Sequence, residues 1–164
     1  MTAELLPEFD QEMAATRRLL ARAPAEAFTW SPHPRSFTLG DLCTHLTRLP
    51  GWGQRILSTP AYDLVTDHAA APPAHAAPEA VLAAFDQAVS AVRATLVGMS
   101  DAELRIPWNL TRSGTPLFTA PRIAAFKTFV INHTVHHRGQ LSVYLRLLDV
   151  PVPPMYGPTA DETL

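Results

Sequence analysis

Apolar residues recur at every third or fourth position in four stretches of the chain, a pattern that is typical of amphipathic α-helices. The stretches cover residues 3–22, about 38–56, 78–97 and 119–148. No stretch alternates between apolar and polar residues as a half-buried strand does, so we expect an all-α protein. Four such helices bury their apolar faces most simply as a four-helix bundle. The length of 164 residues predicts one domain over residues 1–164.

The connections between the helices differ in length and in composition. Pro50 lies inside the second helix and has no backbone N–H, so we expect a kink or a break there. Residues 66–77 are rich in Ala and Pro and predict a long, extended surface connection between the second and third helices. Ser113 and Gly114 predict a turn before the fourth helix. From residue 149 onward, repeated prolines predict an extended C-terminal tail on the bundle surface.

Composition and charge exclude several classes of partner. The net charge is −2, from 13 basic and 15 acidic residues without a block of like charge, which argues against a nucleic-acid partner. No unbroken apolar run reaches membrane-spanning length, and no secretory signal pattern opens the chain. The single cysteine, Cys43, cannot form an intrachain disulfide, which fits a reducing compartment. We therefore expect a cytoplasmic protein that binds neither nucleic acid nor membrane.

Three histidines are predicted to point into the interior of the bundle. His133 and His137 are four residues apart and therefore lie on one helix face, whereas His136 falls at the edge of that face. His45 lies on the apolar stripe of the second helix. Burying unpaired imidazole groups costs roughly 1–3 kcal/mol for each unsatisfied group, and a shared metal ion would satisfy one nitrogen of each ring. Alternatively, each ring donates a hydrogen bond to a neighbouring helix. We predict a metal site formed by His45, His133 and His137.

Other side chains near these positions receive weaker assignments. Gln140 and Tyr144 lie close to the histidine face and could supply hydrogen bonds to the ligands, although Tyr144 could instead fill the core. Arg138 points away from that face, which favours an ion pair between helices. Cys43 is expected to be an inert buried thiol. No residue is assigned as a catalytic acid or base. Three further histidines lie outside the helices, one in a loop near a possible site mouth and two in the solvated connection: His33, His68 and His75.

The segment HTVHHRGQ at residues 133–140, followed by YLRLL at residues 144–148, resembles the signature of the DinB/YfiT-like family of metalloenzymes. The resemblance extends upstream to residues 30–42 with His45, and downstream to residues 153–162. It implies an up-down-down-up four-helix bundle that forms homodimers. The family's divalent-metal site maps onto His45, His133 and His137, with nickel or zinc as the usual ion.

The resemblance also implies a function. Characterised relatives include transferases and isomerases that depend on mycothiol, bacillithiol or glutathione, and many others have no known reaction. We therefore expect a divalent-metal-dependent enzyme that acts on a small-molecule substrate, a thiol-dependent S-transferase with a low-molecular-weight thiol as co-substrate. Two alternatives stay open: a hydrolase whose nucleophile is hydroxide bound to the metal, and a non-enzymatic, stress-linked binding bundle with a structural metal.

Overall fold

Helices dominate the computed structural model, which describes residues 1–66 and 74–163. Within these residues, four long helical segments alternate with shorter elements. In chain order the elements are α1 (Thr2–Leu20), a 3-10 turn (Ala25–Ala27), α2 (Leu39–Ser58), β1 (Ala61–Asp63), α3 (Pro78–Gly98), α4 (Asp101–Leu104), β2 (Pro107–Arg112), β3 (Thr115–Pro121), α5 (Arg122–Phe126), a π-helical segment (Lys127–Asn132) and α6 (His133–Leu147). The last three elements form one continuous helical segment.

Contacts between the long helices establish their directions. Helices α1 and α3 are antiparallel, α2 and α3 are parallel, and α2 is antiparallel to α6. The contacts that show this are Thr2–Met99 and Arg17–Asp86 between α1 and α3, Thr44–His75 and Gln54–Thr95 between α2 and the α3 region, and His45–His133 and Gly53–Val130 between α2 and the last helical segment. The predicted up-down-down-up order is therefore confirmed, and so is the length of the connection between the second and third long helices, which runs over residues 59–77. Most of its predicted extended part, residues 66–77, lies outside the described residues.

A small sheet corrects the expectation of an all-α protein. The strands follow the order β1-β2-β3, with β1 parallel to β2 and β2 antiparallel to β3. Ser113 and Gly114 join β2 to β3 with φ angles of 48° and 78°, as a two-residue hairpin turn requires. The predicted turn is confirmed, but the flanking strands were missed because they are short. In β2, Trp108 and Leu110 are buried and alternate with the more exposed Asn109 and Thr111, a signal of only six residues. The fourth helix accordingly begins at Arg122 and not at Thr119, which lies in β3.

Pro50 does not interrupt α2, which continues to Ser58. The predicted break is therefore wrong, whereas the kink stays a prediction. Pro50 removes one backbone hydrogen bond, but buried side chains on both sides, such as Leu49 and Ile56, anchor the helix to the core. The loss of about one hydrogen bond is small beside this burial. The helix thus reaches far enough to carry His45 near one end and to contact the sheet at the other.

Among the described residues, helix α3 is the one whose length and composition would allow it to cross a membrane. It has 21 residues, and the mean hydropathy of its most apolar window is 1.4. The mean hydropathy is this high although two charged residues, Asp86 and Arg93, interrupt the apolar run. Both charged side chains pair with α1, and Val92 and Leu96 are buried in the core. These contacts make α3 one wall of the bundle.

The C-terminal tail packs on the bundle without forming a helix, as predicted. Asp161 accepts hydrogen bonds from Arg146 and from the backbone of Val152, and Glu162 pairs with Arg22 of α1. The tail therefore contacts both α6 and α1. Of the histidines predicted to be solvated in the connection after α2, His75 is half-buried with its backbone N–H bonded to Thr44, and His68 lies outside the described residues.

Candidate metal centre

The three predicted ligands meet between α2 and α6. His45 comes from α2, and His133 and His137 occupy successive turns at the start of α6. The Nε2 atom of His133 lies 2.9 Å from Nε2 of His137 and 3.4 Å from Nε2 of His45. The three candidate ligand nitrogens all lie within 4.8 Å of one another. The structure therefore brings together all three histidines that the helical pattern selected.

These separations match the requirement of one shared metal ion. With metal–nitrogen bonds of about 2.0–2.1 Å, two imidazole nitrogens are about 2.9 Å apart at a right-angled coordination corner and about 3.3 Å apart at a tetrahedral one. The observed 2.9 Å and 3.4 Å agree with these values. Imidazole nitrogen is also a preferred donor for zinc and nickel. The donor set therefore fits a divalent transition metal.

Burial keeps the three imidazoles neutral, which is the form that binds metal. Desolvation, followed by repulsion from His137, His133 and Arg48, lowers the pKa of His45 to about 4. Desolvation also lowers the pKa of His133, and neighbouring histidines add to this effect. For His137, desolvation lowers the pKa although a hydrogen bond to Gln140 opposes the change. At neutral pH the rings therefore present lone pairs.

Gln140 fixes the orientation of His137. Its amide nitrogen lies 3.2 Å from Nε2 of His136, and its carbonyl oxygen lies 2.7 Å from Nδ1 of His137. Because a carbonyl oxygen can only accept, Nδ1 of His137 donates, and its Nε2 keeps a free lone pair toward the other ligands. The predicted hydrogen bond between Gln140 and a ligand is therefore present, with the ligand as donor. His136 is exposed, and it contacts the site through Gln140 and through its ring, whose centroid lies 4.8 Å from that of His137.

A loop before α2 covers one side of the histidine cluster. The ring of Phe37 stacks on His45 with 5.7 Å between centroids and lies 6.4 Å from the ring of His137. Tyr144 donates a hydrogen bond from its hydroxyl to the carbonyl of Phe37, at 3.0 Å, so it holds the loop in place. Tyr144 is also buried, so it fills the core as one of the two predicted roles required. The other predicted role, a hydrogen bond to a ligand, is wrong, because the hydroxyl of Tyr144 bonds the loop instead.

A cavity of about 460 Å³ opens beside the cluster. Its walls combine two polar loop residues, one ligand with the glutamine that bonds it, and three apolar or aromatic side chains: Arg35, Ser36, His137, Gln140, Phe37, Val143 and Tyr144. Sequence reasoning gave no role to Arg35 or Phe37, because loop residues carry no periodic signal. Their place in the segment that resembles the family signature was the one available clue. The candidate centre therefore has an accessible side.

The remaining sequence candidates lie elsewhere. Cys43 is fully buried, and desolvation raises its pKa to about 12, so it is inert as expected. Arg138 forms a buried ion pair with Glu12 at 2.6 Å, which confirms the predicted pairing between helices. His33 is exposed and accepts a hydrogen bond at Nδ1 from the backbone of Arg35, but it does not line the cavity.

Comparisons with known proteins agree with the fold. The sequence model of the DinB family matches residues 1–163. A DinB-like protein from Bacillus cereus has a similar structure, with a TM-score of 0.70 and 22% identity over 92% of this chain and 95% of that chain. The DinB-like protein YjoA from Bacillus subtilis matches with a TM-score of 0.72 and 14% identity over 93% and 96%. These identities show a common fold only. No curated protein matches the sequence.

Proposed function

The chain belongs to the DinB family, and from this premise we propose that it is a divalent-metal-dependent transferase that uses a low-molecular-weight thiol, such as bacillithiol, mycothiol or glutathione. The observation that carries the proposal is the convergence of three neutral imidazoles beside an accessible cavity. Nickel or zinc is the proposed ion. A divalent ion bound there would act as a Lewis acid that lowers the pKa of a thiol near neutral pH.

The number of ligands favours a catalytic over a structural metal. Structural zinc sites normally have four protein ligands, whereas catalytic sites have three and leave a position for water or substrate. Among the described residues, the candidate cluster contains His45, His133 and His137 and no cysteine or carboxylate. This donor set supports a centre that can bind a small molecule directly.

The surrounding side chains would position the substrates. Gln140 keeps His137 in the tautomer that binds metal. Phe37 covers the cluster on one side and limits the access of water to His45. The cavity of about 460 Å³ falls in the size range of small-molecule sites, so it can hold a thiol beside a small electrophile.

Metal analysis of the untagged protein tests the site. We expect one ion per wild-type chain and loss of that ion in His45→Ala and in His137→Ala. His33→Ala is the matched control, because His33 is an exposed histidine that does not line the cavity, and it should retain the ion. The metal-free variants should melt close to the metal-free wild type. A wild type without bound metal, or loss of metal in His33→Ala as well, would contradict the proposal.

A turnover screen tests the reaction class. The metal-loaded protein would be assayed with each of the three thiols and with electrophiles of the bimane type, and His137→Ala would provide the background rate. Thiol-dependent conjugation that disappears in the variant is the expected result. Hydrolysis of ester substrates without thiol dependence would support the hydrolase instead. No turnover, together with a large loss of stability on metal removal, would support a structural metal.

We also propose a homodimer, as the family resemblance implies. On the outer face of α6, Val143 and Leu147 are 56% and 58% exposed, and Gly139 lies one turn before Val143. Val143 also lines the cavity, so the proposed interface would lie at the edge of the cavity. Large aliphatic side chains exposed in one stripe are suited to cover each other across two copies. Sizing at micromolar concentration should give a dimer, and Leu147→Asp should give a monomer. A monomeric wild type would refute this part of the proposal.

A further inference from the structure

Arg35 contributes a positive charge to the cavity beside the histidine cluster. It lines the same cavity as His137, and its side chain is exposed. In residues 1–66 and 74–163, no ion pair or side-chain hydrogen bond engages its guanidinium group. No acidic residue lines the cavity. The guanidinium is therefore available to an anionic ligand.

Two other surface arginines in the described part of the chain make structural ion pairs, whereas exposed Arg105 and Arg112 also lack one but do not line the cavity. Arg17 pairs with Asp86, and Arg146 pairs with Asp161, each with two short contacts. Those pairs hold helices and the tail together. Arg35 makes no such contact, so its charge has no structural role in the described residues. Because it lies in the cavity wall, its guanidinium group can reach a ligand bound in the cavity.

The loop places Arg35 firmly at this wall. The backbone N–H of Arg35 donates to Nδ1 of His33 at 3.1 Å, and the next N–H, that of Ser36, donates to the His33 carbonyl at 2.9 Å. On the other side, Tyr144 holds the carbonyl of Phe37. The backbone is thus tied down on both sides of Arg35, which reduces the entropy lost when the guanidinium binds a ligand.

We propose that Arg35 binds a carboxylate of the thiol co-substrate and makes the protein selective for thiols that carry a carboxylate. The inference rests on the proposed thiol-dependent function. A guanidinium group matches a carboxylate with two parallel hydrogen bonds. The apolar surface of Phe37, Val143 and Tyr144 lies along the same cavity and suits the hydrocarbon part of such a molecule. Of the three proposed thiols, glutathione and bacillithiol carry carboxylates, whereas mycothiol has none.

Matched pairs of simple thiols test the inference. The protein loaded with cobalt or nickel would be titrated with mercaptopropionate against mercaptopropanol, and with mercaptohexanoate against mercaptohexanol. Thiolate-to-metal charge-transfer absorption measures the binding. In at least one of these two comparisons, we expect the thiol with a carboxylate to bind about tenfold more tightly than the matching alcohol. This preference should weaken at higher salt, because salt screens the attraction between the carboxylate and Arg35.

Substitutions of Arg35 test whether its side chain causes the preference for the carboxylate. Arg35→Ala should remove it and Arg35→Lys should retain part of it, because lysine keeps the charge but not the paired hydrogen bonds. Arg112→Ala is the matched control, since Arg112 is also exposed and lies in the hairpin, outside the cavity wall. Its preference should equal that of the wild type.

Metal content separates the two ways in which the idea can fail. Arg35 is not a ligand, so Arg35→Ala should hold as much metal as the wild type. Equal affinities for acid and alcohol in metal-loaded wild type, or a preference that survives in Arg35→Ala, would overturn the role of Arg35 alone. A wild type that binds no metal would overturn the proposed function and this inference with it.

Discussion

The buried ion pair between α1 and α6 offers a sharp test of how the bundle is stabilised. Arg138 is 2% exposed, and its Nη2 lies 2.6 Å from Oε2 of Glu12, whose side chain is 10% exposed. The other terminal nitrogen, Nη1, donates to the backbone carbonyl of Glu12 at 3.0 Å. Tyr156 from the tail donates its hydroxyl to the same carboxylate at 2.8 Å. The pair therefore joins α1, α6 and the tail.

Arg138→Ala would leave the carboxylate of Glu12 buried without its counter-ion. Removing one partner of a buried ion pair costs about 3–5 kcal/mol, whereas an exposed pair contributes about 0–1 kcal/mol. For a domain of this length, 1 kcal/mol lowers the melting temperature by about 2–4 °C. We therefore expect Arg138→Ala to melt roughly 6–20 °C below the wild type.

Urea and thermal unfolding of the metal-free protein measure this effect. Arg93→Ala is the matched control, because Arg93 pairs with Asp10 at 3.0 Å between side chains that are 51% and 38% exposed, and it should lose less than about 1 kcal/mol. The double variant Glu12→Leu with Arg138→Met should regain most of the stability, since apolar side chains can replace a buried pair. A loss below about 1 kcal/mol in Arg138→Ala would refute the reasoning.

Three further predictions concern the site and the core. Gln140→Leu should weaken metal binding about 10- to 100-fold in a competition titration, because one ligand ring loses its orienting hydrogen bond; unchanged affinity would contradict that role. The pKa of His45 falls from 6.5 to about 4 on folding, so the unfolded chain binds more protons between these values. The metal-free protein should therefore lose stability as the pH falls from about 6.5 to 4, and His45→Gln should flatten that slope in urea titrations. Gly53→Ala places a Cβ 2.9 Å from the ring of Phe126, so we expect the free energy of unfolding to fall by about 1–3 kcal/mol. The Cβ of Gly51→Ala meets open space, so this control variant should keep the stability of the wild type when the two are melted in parallel.

Periodicity located the long helices and two of the candidate ligands because both depend on local geometry. Residues four apart in a helix share a face whatever surrounds them, so His133 and His137 had to lie together once the segment was helical. The apolar stripe of α2 also oriented His45 inward. Because each of the three ligands lies on the inward-facing side of its own helix, the helical pattern alone was enough to select all three.

The sheet and the continuity of α2 could not be predicted from local periodicity. Strand β1 pairs with β2, which lies more than forty residues further along the chain, at Ala61 and Asn109. Such pairing depends on contacts that no local pattern records. Likewise, the local rule for Pro50 predicted an interruption, but burial on both sides of it kept the helix intact.

By itself, the sequence determined which stretches become helices and which side chains each helix turns inward, because a helix is built from interactions between neighbours in the chain. Only the tertiary structure decided what stands beside those side chains. It set the distance from His45 to His133, placed Phe37 over the cluster and brought Arg35 to the cavity wall. These relations join separate segments, and their geometry follows from how the whole core packs.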